Sequence, residues 1–204
     1  MAEAEYEPGS RKRVLKNLLG IKTKREINKI EWETLRFIQN KLIDTYTINH
    51  RFSSADIQKM HKLWLKEIYS WAGHYREVNM SKGGFHFSVV KHIPSLMKKF
   101  EKEFLNKYTP CIFENLEEVI SAIAIVHTEL VLIHPFREGN GRLARLLAGF
   151  MAMQAGLPML DFSFLAGKHF KYYVSAIHAG LDNNYEPMKK IFRVVVERTL
   201  GAFS

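Results

Sequence analysis

Apolar residues recur along most of this chain at the three- and four-residue spacing of an amphipathic helix. Between about residues 24 and 43, Ile27, Ile30, Leu35, Ile38 and Leu42 predict a first helix. Ser53-Ser54-Ala55-Asp56 supplies capping residues for a second, running to about Trp71. The pattern then changes. Val78 and Met80, followed by Phe85, Phe87 and Val89, alternate around Gly83-Gly84, which predicts a tight β-hairpin within 75–89. Helical spacing resumes over 91–107 and 115–133, where Val119, Ile123, Val126, Leu130 and Ile133 form one stripe ending at His134-Pro135. A helix beginning near Asn140 or Gly141 presents Leu143, Leu146, Leu147 and Phe150, and two more cover about 167–180 and 185–200. The chain is therefore expected to be all-α with one small hairpin.

Composition adjusts this picture only slightly. With 204 residues, 47% hydrophobic and 25% charged, the chain is expected to form a single domain over 14–204 behind a polar tail, residues 1–13. One cysteine, Cys111, rules out an internal disulfide and fits a cytoplasmic protein. The N-terminal residues lack the apolar run of a signal peptide. The longest apolar stretch, 146–160, is interrupted by Gln154, Gly156 and Pro158 and is too short to span a membrane. The formal charge is +9, and eight Lys or Arg fall between Arg11 and Lys29. Such a run reads first as a solvated face and second as a docking surface for an acidic partner or nucleic acid. No nucleic-acid-binding motif accompanies it, so nucleic acid is not favoured as a partner.

The densest chemistry lies at 134–145, HPFREGNGRLAR. It sits at a helix end, a loop and the start of the next helix. Gly139-Asn140-Gly141 permits a sharp turn, and a helix starting there aims unpaired N–H groups and its positive dipole end at the loop, where an anion can bind. Arg142 and Arg145 share a face of that helix and suit phosphate oxygens. Glu138 can hold a magnesium ion bridging phosphates, and a neutral His134 can accept a proton. Neither a Walker A loop nor a dinucleotide fingerprint is present. The parts together predict a nucleotide-phosphate site facing a hydroxyl.

These residues resemble the Fic-domain signature HPFx[D/E]GNGRxxR at every specified position. The resemblance extends from about 14 to 195, including WAGHYREVNMSKGGFHF upstream and YYVSAIHAGLDNNYEPM downstream. It implies a Fic-type helical bundle with a β-hairpin flap, and a protein adenylyltransferase that moves AMP from ATP to a Ser, Thr or Tyr hydroxyl of a target protein. On this resemblance His134 is the catalytic base and Glu138 the Mg2+ ligand. Gly139, Asn140 and Gly141 form the anion hole, and Arg142 and Arg145 hold the β and γ phosphates. Phe136 packs into the core to set the loop. The flap, with Asn79, Lys82, Gly83, Gly84 and Phe85, docks an extended segment of the target by strand pairing. Tyr173 matches a position that contacts adenine, whereas Gly180 stands where many members carry a second, asparagine contact. The inhibitory motif [S/T]xxxE[G/N] of many members is absent, since no Ser or Thr is followed four residues later by Glu. The expected inhibitor is a separate small antitoxin whose glutamate pairs with Arg145, as in the toxin-like branch, which the opening YEPGSRKRVLKNLLGI also resembles. Two other readings stand beside this one: a protein kinase like the Doc relatives, which the intact GNGR disfavours, and a catalytically silent basic binding module.

Overall fold

The computed structural model describes residues 5–165, 167 and 169–202; residues 1–4 of the expected tail and Lys168 of the expected seventh helix lie outside them. The structure has the expected all-α architecture with one hairpin. Among the described residues eight α-helices run in the order α1 (Lys24–Ile43), α2 (Ser54–Leu65), α3 (Ile93–Phe100), α4 (Asn106–Tyr108), α5 (Leu116–Ile133), α6 (Asn140–Gln154), α7 (His169–Ala179) and α8 (Glu186–Gly201). Strands β1 (Ser81–Lys82) and β2 (Phe85–His86) sit between α2 and α3.

Local chemistry sets several of the boundaries. Thr23, Ser53 and Asn115 cap α1, α2 and α5, each side chain accepting from a backbone N–H three residues on. At α2 the Asp56 carboxylate bonds back to the Ser53 N–H and completes a capping box. Two expectations need correction. The second helix stops at Leu65 rather than near Trp71, because the next residues turn back onto the bundle. There the Tyr69 hydroxyl donates to Glu31 at 2.6 Å and the Gly73 N–H donates to His61 Nδ1 at 2.8 Å. The helix expected over 91–107 is broken by a π-helical segment, Glu101–Leu105, between α3 and α4. Glu101, where it begins, accepts the Ser54 N–H at 2.7 Å and so satisfies the start of α2.

Helix α5 is the axis of the bundle. It packs against α3, α6, α7 and α8, and residues on every side of it are buried, well beyond the single stripe of the periodicity. Residues 5–22 form a strap: Tyr6 bridges Leu15, and Val14, Leu15 and Ile21 are buried. The Leu18 N–H of this strap donates to the Ile68 carbonyl. All eight basic side chains between Arg11 and Lys29 are exposed, as a solvated face requires. No helix among the described residues is long and apolar enough to cross a membrane.

Candidate active site

The loop between α5 and α6 is held from beneath. His134 ends α5 in the left-handed region (φ 53°), which turns the chain sharply before Pro135. Phe136 is fully buried and stacks on His61 of α2 with ring centroids 3.9 Å apart. His61 Nε2 lies 3.1 Å from the Glu138 carbonyl. Because its Nδ1 accepts from Gly73, Nε2 carries the proton and donates to that carbonyl. The Asn140 side chain is spent on the loop as well: its Oδ1 accepts the Phe136 N–H and its Nδ2 donates to the Phe136 carbonyl. Gly139 is left-handed (φ 84°), and a Cβ on it would lie 2.6 Å from Trp64 Cζ3, so only glycine fits. Helix α6 starts directly after it, and its first-turn N–H groups have no intrahelical partners.

One cavity of about 660 Å³ opens over this loop. His134, Glu138, Gly139, Asn140, Gly141, Arg142, Arg145 and Tyr173 line it, and Lys82, Gly83 and Phe85 of the flap close one side. The structure thus brings together the residues singled out in the sequence, apart from two in the flap. Asn79 lies at the flap base, where its Oδ1 accepts the Val90 N–H, and Gly84 sits exposed at the tip. Gly83 and Gly84 both have positive φ (57° and 80°), as a two-residue turn joining twisted strands demands.

The surroundings of His134 fix its tautomer and keep its ring neutral. Its Nδ1 lies 3.1 Å from the Val131 carbonyl, which can only accept, so the proton is on Nδ1 and Nε2 keeps its lone pair. Burial, reinforced by Arg76 and Lys82, lowers its pKa to about 4 against the pull of the Val131 carbonyl and Glu138. The ring is therefore neutral at physiological pH. Phe87 of the flap, read in the sequence only as part of the hairpin pattern, stacks on it at 3.6 Å. Arg76, 2% exposed, joins flap and base: its Nε donates to the His134 carbonyl, Nη1 to Val78 and Nη2 to Ser88.

Burial works against ionisation of Glu138, but Arg142, the Gly139 N–H, Lys24 and Lys82 outweigh it and hold its pKa below the ordinary carboxylate value. Its Oε1 accepts from Gly139 at 2.8 Å and faces Arg142 at 3.3 Å. Tyr173 is 4% exposed, and its hydroxyl lies 2.7 Å from His127 Nε2 and bonds Arg145. It is a fixed part of the cavity wall that also orients Arg145. Gly180 is buried, and a Cβ there would strike Thr128 Cγ2 of α5, so it is a packing glycine on which no asparagine could reach a ligand.

Sequence reasoning missed four supports of this site: Glu31, His61, Trp64 and Arg76. Glu31 was findable, because it occupies a buried position on the α1 stripe between Ile27 and Ile38 where an apolar residue belongs. Three histidines, His61, His127 and His134, have pKa values lowered by burial to about 4, 3 and 4. Each stays neutral in the folded chain and takes up a proton near its ordinary value, about 6.5, when the chain unfolds. Their contribution to stability is complete above that value and is lost as pH falls from 6.5 toward 4. The melting temperature, followed by circular dichroism, is expected to fall steadily over that range and to be level from this cause between pH 7 and 8.

Residues 51–152 match the Fic/DOC family. The chain is 27% identical over 175 residues to the protein adenylyltransferase Fic of Nematostella vectensis, covering 84% of this chain and 38% of that one. It is 29% identical over 143 residues to the protein adenylyltransferase VbhT of Bartonella schoenbuchensis, covering 70% of this chain and 30% of the relative. It thus spans about a third of the length of these curated relatives. Among solved structures, the N-terminal Fic domain of a VirB-translocated Bep effector protein from Bartonella quintana with bound ADP superposes with a TM-score of 0.75. Identity there is 25%, with 96% of this chain and 95% of that chain covered. The chain belongs to the Fic/DOC family.

Proposed function

We propose that this member of the Fic/DOC family is a protein adenylyltransferase that moves AMP from ATP to a Ser, Thr or Tyr hydroxyl of a target protein. The observation that carries the reading is the meeting, in one cavity, of the His134 ring, the start of α6 and both Arg142 and Arg145. His134 Nε2 takes the proton of the target hydroxyl. The freed oxygen bonds to the α-phosphorus, the bond from that phosphorus to the β-phosphate bridge breaks, and pyrophosphate leaves. The α6 N–H groups and the two arginines stabilise the phosphate charge. The names of the two adenylyltransferase relatives and the ADP in the Bartonella quintana domain support this choice.

The residues present fit a magnesium ion. Among the described residues no group of three or more His, Cys, Asp or Glu side chains gathers to cage a metal. One ionised carboxylate, Glu138, lines the cavity, and magnesium commonly binds through one or two carboxylates, substrate phosphates and water. Glu138 would hold it, and the ion would neutralise phosphate charge. The flap would align the target segment by strand pairing at its exposed edge.

The reading includes restraint by a separate small antitoxin whose glutamate pairs with Arg145. No carboxylate is paired with Arg145 among the described residues, and the 204 residues contain no [S/T]xxxE[G/N] motif. The test is incubation with Mg2+, a lysate and ATP labelled at either the α or the γ phosphate. Protein labelled only from α-labelled ATP is the expected result. Protein labelled only from γ-labelled ATP would make the chain a kinase and overturn the proposal.

A further inference from the structure

The guanidinium of Arg142 has two carboxylate neighbours, and only one of them belongs to the signature. On one side Nη2 faces Glu138 at 3.3 Å. On the other, Nη1 lies 2.7 Å from Oε2 of Glu31, a residue of α1 far from the signature in sequence. Glu31 is fully buried. Its Oε1 accepts from the Tyr69 hydroxyl at 2.6 Å, and its backbone carbonyl accepts from Trp64 Nε1 at 2.7 Å. Trp64 in turn offers its ring face to the Arg142 guanidinium, 4.8 Å from the centroid, and its edge to Gly139. Arg142 is therefore seated on an aromatic plane and pinned at one edge by a buried charge. A carboxylate at that depth requires a cationic partner, and Arg142 is the cation the fold provides.

We propose that Glu31 is a positioning residue that keeps Arg142 from closing onto Glu138, leaving the Glu138 carboxylate available to the metal that accompanies the nucleotide. The inference rests on the nucleotide and magnesium roles proposed above for this cavity. With Glu31 in place, the guanidinium is shared between two carboxylates: it donates a hydrogen bond to Glu138 at 3.3 Å, and its shorter contact, the 2.7 Å ion pair with Glu31, draws it toward α1. Without the Glu31 charge, Glu138 becomes its sole carboxylate partner, and an Arg–carboxylate pair would compete directly with magnesium. The metal requirement of nucleotide binding thus depends on a helix that contributes nothing to the signature.

Calorimetric binding of a non-hydrolysable ATP analogue, measured across a magnesium titration, tests this. In Glu31→Gln, which keeps the side-chain volume, half-maximal binding is expected to need about tenfold more magnesium than in the unaltered chain, with most of the affinity restored at high magnesium. Tyr69→Phe leaves the charge but loosens its orientation, and should shift the requirement about threefold in the same direction. An unchanged magnesium requirement in a folded Glu31→Gln overturns the proposal, as does an affinity loss that is the same at every magnesium concentration, the mark of a purely structural role. If Glu31→Gln does not fold, an unshifted Tyr69→Phe overturns it. Failure of the unaltered chain to bind the analogue at all would instead remove the nucleotide reading, and this inference with it.

Discussion

Replacement of His134 by asparagine should lower AMP transfer about 10³-fold while leaving the chain folded. The magnitude follows from the loss of a positioned general base. Asparagine suits this test better than alanine, because residue 134 is left-handed at φ 53° and asparagine tolerates that region. His134→Ala should show the same loss of transfer, with an added destabilisation of about 1 kcal/mol from the backbone. Transfer is read as label from α-labelled ATP on the target, and folding as the thermal transition. A variant retaining more than about a tenth of the activity would mean that another group takes the proton. Because the pKa of His134 lies at about 4, the rate should also be insensitive to this group between pH 6 and 8 and should decline only as pH approaches 4.

Gly139→Ala is expected to be the most damaging single-methyl change in the loop. The added Cβ meets two obstacles at once. The backbone at φ 84° is disfavoured for any residue with a Cβ, and that atom would lie 2.6 Å from Trp64 Cζ3 and 2.8 Å from Cη2. Trp64 cannot yield, since it is fully buried and bonded through Nε1 to Glu31. Left-handed strain and overpacking together cost about 2–4 kcal/mol, or roughly 5–15 °C in melting temperature for a chain of this size. The loop would relieve the clash by shifting, carrying Glu138 and Arg142 with it, and a displacement of about 1 Å can cost about 10²-fold in rate. Gly141→Ala is the control. It sits in the first turn of α6, where a Cβ would come no closer than 3.6 Å to Arg145 Nη1, so its melting temperature should be almost unchanged. Equal destabilisation by the two substitutions would contradict this account.

What could be seen in the sequence divides along physical lines. Helices α1, α5, α6 and α8 were legible because each repeats an apolar stripe over several turns and carries a recognisable start or stop. The flap was legible because two adjacent glycines can take the positive φ values that a two-residue turn requires, and alternating apolar residues flank them. The end of α2 was not, because nothing local stops the helix at Leu65; distant partners, Glu31 for Tyr69 and His61 for Gly73, decide it. The signature residues that line the cavity were clustered in twelve consecutive positions and could be found together. Their supports could not, since Arg76 is 58 residues in sequence from the carbonyl it holds and His61 is 77 from its own. Gly180, where many members carry an asparagine, is shut against α5 by Thr128, a packing constraint between distant residues that the sequence does not show.

The three donors of Arg76 act as a ruler. One guanidinium fixes both legs of the hairpin, at Val78 and Ser88, relative to His134. The stretch between those two points can therefore vary in sequence without changing how the hairpin is held relative to the imidazole. On the adenylyltransferase reading proposed above, recognition and chemistry are separable in this scaffold: selectivity can be redrawn at Ser81–His86 while the reach of His134 stays constant.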